Sequence, residues 1–235
     1  MNKREVIIAC DFPSKQELYA FLKPFENAKI EPFLKIGMEL FYREGPELIR
    51  ELQKKGAKIF LDLKLYDIPN TVENAMKNIG RLGVQITNLH ASGGVKMMAS
   101  ARKGLDEGAL SVGAKPPILL AVTLLTSIDE VVLKNELLVG ESLTKTVKHY
   151  AMNAKTAGLD GIVCSAHEAS LAVELGLIAL TPGIRMDGDA VNDQKRVATP
   201  AYAKEQGSTY IVVGRPITAS PDPVKAYLAC AEQFS

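Results

Sequence analysis

At the end of an apolar run, KIFLDL, the chain carries DLKLYD, which sets Asp62, Lys64 and Asp67 in an Asp-x-Lys-x-x-Asp pattern. Side chains two apart on a strand share a face, so Asp62 and Lys64 project together, an anion beside a cation. Asp67 falls after the strand, where the chain turns toward IPNT. Two carboxylates around one ammonium are costly to place on a largely apolar scaffold unless chemistry requires them. Fixed charges of this kind suit acid–base or electrostatic work, and function is expected here.

The elements that must position this cluster can be read from short apolar runs alternating with longer amphipathic stretches. The runs are EVIIACD, PFLKIG, KIFLDLK, QITNLHA, PILLAVTL, GIVCS, LIALTPG and YIVVGR. Between them lie helical candidates such as MELFYREGPELIRELQKKG and GESLTKTVKHYAMNAKTAG. Ser14–Glu17, Ser127–Glu130 and Ser165–Glu168 have capping-box spacing, and Pro69 and Pro223 suit early helical positions. Gly56, Gly83, Gly158 and Gly176 stand where helices should stop.

Eight strand–helix units with near-continuous apolar strands predict a parallel sheet covered on both faces, closed into a (β/α)₈ TIM barrel. An open doubly wound sheet is the alternative, but CDFPSK follows the first strand in place of a glycine-rich dinucleotide turn. No linker or low-complexity segment divides the chain, so residues 1–235 read as a single barrel domain.

In such a barrel, polar groups at the carboxyl ends of the strands converge on one pocket. Strand by strand they are Asp11, Lys35, Asp62 with Lys64, His90, Thr123, Ser165, Thr181, and Gly214 with Arg215. Neighbouring strands lie ~4.8 Å apart, so Lys35, Asp62 and Lys64 can form an alternating charge chain. Loops after strands seven and eight are the usual phosphate site of these barrels. Gly214 admits close backbone approach there, and Arg215, with Arg185 and Gln194 on the preceding loop, can form a phosphate clamp. That loop, IRMDGDAVNDQKR, is long and polar and reads as a lid over the same face. His90 is expected to be a hydrogen-bonded wall residue, His149 and His167 structural or exposed, and Met97 and Met98 helix packing.

Composition bounds the partners. Lys and Arg number 28 against 27 Asp and Glu, a net charge of +1, which gives no general argument for nucleic acid or an anionic membrane. No run approaches ~18 apolar residues, and the N-terminal apolar stretch is too short for a signal peptide. Three separated cysteines, Cys10, Cys164 and Cys230, have no metal-ligand spacing; Cys10 in IIAC and Cys164 in GIVCS read as buried thiols, which suits a reducing cytoplasm.

FLDLKLYDIPNTV, with KIGMELFY before it, TPGIR and VVGRPIT after it, and ACD near the start, resembles the bacterial-type orotidine 5′-phosphate decarboxylase family. The likeness runs from Asp11 to Ile217 with the motifs in order. DLKLYDIPNT is specific, whereas the bare D-x-K-x-x-D core is shared with related sugar-phosphate barrels. Tyr66 stands where the family often has histidine, outside the catalytic positions.

The resemblance implies decarboxylation of orotidine 5′-phosphate to uridine 5′-phosphate, the last step of de novo UMP synthesis, with no cofactor and no metal. It implies that Lys64 donates a proton to C6 of the pyrimidine, flanked by Asp62 and networked with Lys35. Asp67 would reach the site from the partner of a homodimer, as would Thr71. Asp11 and Lys35 would bind ribose hydroxyls, Thr123 the pyrimidine, and Pro182 would line the base pocket. Arg185, Gln194, Gly214 and Arg215 would hold the phosphate. Two other readings share parts of the pattern: a Mg²⁺-dependent sugar-phosphate aldolase, epimerase or decarboxylase of the same suprafamily, and a non-catalytic nucleotide-binding protein.

Overall fold

The computed structural model describes residues 4–186 and 197–235. Eight parallel strands close into a barrel in sequence order: β1 (Glu5–Ala9), β2 (Phe33–Gly37), β3 (Lys58–Leu65), β4 (Ile86–His90), β5 (Ile118–Val122), β6 (Gly161–Val163), β7 (Ile178–Thr181) and β8 (Tyr210–Val213). β1 pairs with β8 in register from Glu5↔Tyr210 to Ile8↔Val213, so no sheet edge is left open. The closed barrel, rather than the open sheet, is the outcome.

Alternation along the strands divides the core into two layers. Ile7, Phe33, Phe60, Leu120, Leu180 and Val212 fill the barrel interior. Val6, Ile8, Leu34, Ile59 and Leu61, one residue out of step, pack outward against the helices. Both faces of each strand are therefore buried, which is why the strands read as unbroken apolar runs.

The helices are α1 (Lys15–Asn27), α2 (Met38–Lys54), α3 (Pro69–Gly80), α4 (Gly94–Leu110), α5 (Glu130–Asn135), α6 (Leu143–Thr156), α7 (Ala169–Glu174), α8 (Pro200–Glu205), α9 (Arg215–Thr218) and α10 (Pro223–Phe234). In α1, Leu18, Leu22 and Phe25 are buried at spacings of four and three, a stripe facing the barrel. Ser14 caps this helix by accepting from the Glu17 N–H. Ser165 and Glu168 form the expected capping box. The third expected cap moves: α5 begins at Glu130, so Asp129, not Ser127, holds the extended cap position and accepts from the Val132 N–H, while the Glu130 carboxylate accepts from the Leu143 N–H. Pro69 and Pro223 open α3 and α10. Gly45, at φ +70 and followed by Pro46, breaks α2 into two segments where a continuous helix was expected.

The α3–α4 pair matters for the site because α3 begins two residues after Asp67. These helices touch backbone to backbone: a Cβ on Gly104 would lie 2.1 Å from the Glu73 carbonyl oxygen, and one on Gly108 2.0 Å from that of Lys77. Among the described residues, no helix is long and apolar enough to cross a membrane. Most of the stretch read as a lid, residues 187–196, lies outside the described residues.

Candidate active site

At the carboxyl ends of the strands the interior opens into a cavity of about 670 Å³, a volume suited to a nucleotide-sized ligand. Asp11, Lys35, Asp62 and Lys64 line one side; Pro182, Arg185, Gly214 and Arg215 line the side formed by β7 and β8. By strand order β3 and β7 stand diametrically opposed, so the acid–base cluster faces the Arg185 side across the barrel.

The four charges form one chain. Lys35 Nζ lies 2.7 Å from Asp11 Oδ1 and 3.5 Å from Asp62 Oδ2, and Lys64 Nζ lies 2.7 Å from Asp62 Oδ1. Interior parity puts them there: Phe33 precedes Lys35 by two residues, and Phe60 precedes Asp62 by two. Lys35 and Asp62 are buried, Lys64 is partly exposed, and Asp11 opens to solvent.

Electrostatics follow from burial and pairing. Burial alone would lower the Lys35 pKa, but the Asp62 and Asp11 carboxylates outweigh it and hold the ammonium above its ordinary value. Burial alone would raise the Asp62 pKa; Lys35, Lys64 and the Asn88 hydrogen bond outweigh it and keep the carboxyl below its ordinary value. His90, at the end of β4 and outside the cavity lining, is pushed down by its burial and by the Lys64 charge. His90 makes an edge-on contact with Tyr66, ring centroids 6.0 Å apart.

Several expected groups sit elsewhere. Thr123 does not line the cavity; it follows inward-facing Val122 by one residue, and its hydroxyl donates to the Val163 carbonyl 3.1 Å away. Residues 124–127 line the cavity instead. Thr181 likewise follows Leu180, and its hydroxyl bonds Ser208 Oγ at 2.7 Å on the outer face. Ser165 hydrogen-bonds Glu168 within its capping box. Asp67 and Thr71 are exposed and do not line this cavity; Asp67 Oδ1 accepts from the Ile68 N–H at 2.6 Å. Gln194 lies outside the described residues.

Arg185 is buried, with Nη1 donating to the Ile184 carbonyl at 2.9 Å, and its N–H donates to Ala198, tying together the two ends of the β7–α8 connection. Cys10, Cys164 and Cys230 are buried and, among the described residues, form no disulfide. Among the described residues, no group of three or more His, Cys, Asp or Glu side chains is placed to hold a metal ion.

Sequence reasoning missed Asn88. It is fully buried on the inward face of β4, accepts from the Lys64 N–H at 2.8 Å and donates to Asp62 Oδ1 at 2.7 Å. The signal was present: in ITNLH, an amide occupies the parity of Ile86, where an apolar residue would be expected.

Known proteins resemble this chain throughout its length. A sequence model of the "Orotidine 5′-phosphate decarboxylase / HUMPS family" matches residues 4–230. The orotidine 5′-phosphate decarboxylase of Enterococcus faecalis is 53% identical over 232 residues, covering 97% of each chain. That of Bacillus licheniformis is 52% identical over 230 residues, covering 97% of this chain and 95% of its own. The crystal structure of orotidine 5′-phosphate decarboxylase from Lactobacillus acidophilus matches with a TM-score of 0.86 at 42% identity, across 99% of this chain and 100% of that one. With motifs, barrel and charged cluster in agreement, the chain belongs to the orotidine 5′-phosphate decarboxylase / HUMPS family.

Proposed function

We propose that this enzyme decarboxylates orotidine 5′-phosphate to uridine 5′-phosphate, the last step of de novo UMP synthesis, in the cytoplasm and without a cofactor. The observation that carries the reading is the unbroken Asp11–Lys35–Asp62–Lys64 chain on one wall of a cavity whose other wall holds Arg185 and Arg215. The relatives named above as orotidine 5′-phosphate decarboxylases support the substrate.

Loss of CO₂ from C6 leaves an electron pair in an sp² orbital in the ring plane, which the π-system cannot delocalise. A fixed cation beside C6 meets that charge directly. Preorganised electrostatic stabilisation of this kind contributes roughly 10²–10³-fold. Lys64 is that cation, and transfer of its Nζ proton to C6 completes the reaction as general acid. Asp62 aims it from 2.7 Å, and Lys35 holds the second oxygen of Asp62. Asp11 and Lys35 bind the ribose hydroxyls, and Pro182 with residues 124–127 encloses the base. Arg185, Gln194, Gly214 and Arg215 hold the phosphate. Phosphate binding remote from C6 supports orientation at the reacting carbon.

The active unit is a homodimer in which Asp67 and Thr71 complete the partner's site. Their exposure supports this, as does the apolar surface beside them, where Tyr66 and Ile68 are 61% and 67% exposed.

An ultraviolet assay with orotidine 5′-phosphate, with and without EDTA, tests the reading. The expected result is a steady absorbance change that EDTA leaves intact. No change would overturn it, and activity lost to EDTA and restored by Mg²⁺ would favour the sugar-phosphate reading.

A further inference from the structure

The β3–β4 ladder breaks where the charge chain begins. Leu61 pairs with Thr87 and Leu65 with Leu89, so four steps along β3 match two along β4. Lys64 takes up part of this excess by adopting φ +50. A residue bearing a Cβ is strained there by about 1 kcal/mol or more, and such a conformation persists only when its surroundings hold it.

Asn88 supplies the hold. In the unpaired stretch the Lys64 N–H donates to Asn88 Oδ1 at 2.8 Å, and Asn88 Nδ2 donates to Asp62 Oδ1 at 2.7 Å. These partners fix the amide's orientation. Reversed, it would set an NH₂ against an N–H and a carbonyl against a carboxylate. The Asp62 oxygen that Asn88 grips is also the one that receives Lys64 Nζ at 2.7 Å.

We infer that Asn88 is a positioning residue for Lys64: one rigid carboxamide holds the left-handed backbone of the lysine and aims the carboxylate that aims its ammonium. It does not line the cavity, so it acts through those two residues. The inference rests on the decarboxylase reading above for its effect on turnover, and on geometry for its effect on Lys64.

Two variants test it. Asn88→Ala removes both hydrogen bonds. With the partners of Lys64 loosened but the ribose and phosphate contacts left in place, kcat should fall at least thirtyfold while affinity for uridine 5′-phosphate, read by titration calorimetry, stays within threefold. Asn88→Asp keeps the shape and the acceptor for the Lys64 N–H but turns a carboxylate toward Asp62. The charged and titratable groups facing that pair are Lys35 on β2, Lys64 on β3 and His90 on β4. Two carboxylates so close favour protonation of one. Acidification then restores an O–H donor to Asp62, so activity relative to wild type should rise as pH falls.

Asn88→Ala with kcat within threefold of wild type, a loss residing wholly in KM, or an Asn88→Asp ratio independent of pH would each overturn the inference. If Asn88→Ala does not fold, the isosteric Asn88→Asp decides. A crystal structure of the variant separates the inference from the function: Lys64 still at positive φ with Nζ on Asp62 overturns it, whatever the enzyme turns over. A wild type inactive on orotidine 5′-phosphate defeats the decarboxylase reading instead, and the variant's structure then decides the inference alone.

Discussion

Gly37 leaves room for Lys35: a Cβ at position 37 would stand 3.2 Å from Lys35 Nζ and 3.3 Å from Asp11 Oδ1. The glycine lies at φ −92, which any residue adopts, so space rather than backbone freedom is what a side chain here would violate. Gly37→Ala should push the Lys35–Asp11 pair apart and raise KM for orotidine 5′-phosphate about tenfold, equivalent to ~1.4 kcal/mol of binding. Steady-state kinetics measures it; an unchanged KM would show that the pair relaxes at no cost.

Lys64→Ala removes both the cation and the proton donor and should lower kcat by at least about 10⁴-fold. Asp67→Ala should be comparably inactive as a homodimer. Mixing the two variants should restore activity if Asp67 serves the neighbouring chain, since some heterodimers then hold one intact site. Subunit exchange with no recovery would refute the shared site.

Asp62 and Lys35 set a pH window. A carboxyl depressed on folding stabilises above its ordinary pKa, here 3.8, and loses that contribution as pH falls through its folded value. A lysine raised on folding contributes fully below its ordinary 10.5 and loses it as pH rises through its folded value. Between these limits both contributions are complete. Asp62→Asn leaves Lys35 and Lys64 without their shared anion and should cost ~3 kcal/mol in that window. The gap in thermal midpoint between wild type and variant should narrow only below 3.8. A gap that persists undiminished into stronger acid would contradict the assignment.

Gly104→Ala forces a methyl against the Glu73 carbonyl oxygen, 2.1 Å from the ideal Cβ position. Overpacking of this kind costs roughly 1–3 kcal/mol, more where backbone must move. Thermal unfolding should register the loss, with the largest shift in any hydrogen-exchange protection falling on α3 and α4.

Much of this arrangement was legible because the strands are buried on both faces and therefore stand out as apolar runs. Asp11, Lys35, Asp62 and Lys64 were legible for the same reason: charges at the ends of such runs are conspicuous. Thr123 and Thr181 stand at strand ends as expected but lie off the cavity lining, one residue out of step with inward-facing Val122 and Leu180, a parity that convergence at strand ends does not count. For Asn88 the parity with Ile86 marks an inward amide, but its partners depend on a β3 irregularity that propensity does not encode. The Asp62–Lys64 contact was anticipated from strand alternation, yet Lys64 reaches it from a left-handed backbone.

The α3–α4 contact bears on how this enzyme can change over generations. The atoms that a side chain at Gly80, Gly104 or Gly108 would meet are the carbonyl oxygens of Leu105, Glu73 and Lys77, present whatever residue occupies those positions. No second substitution in the facing helix can make room by becoming smaller. Accommodation requires α3 and α4 to move apart, and α3 is joined through Asp67 and Ile68 to the segment bearing Lys64. A drift in helix spacing that moved α3 would therefore reach the segment bearing Lys64 along the chain.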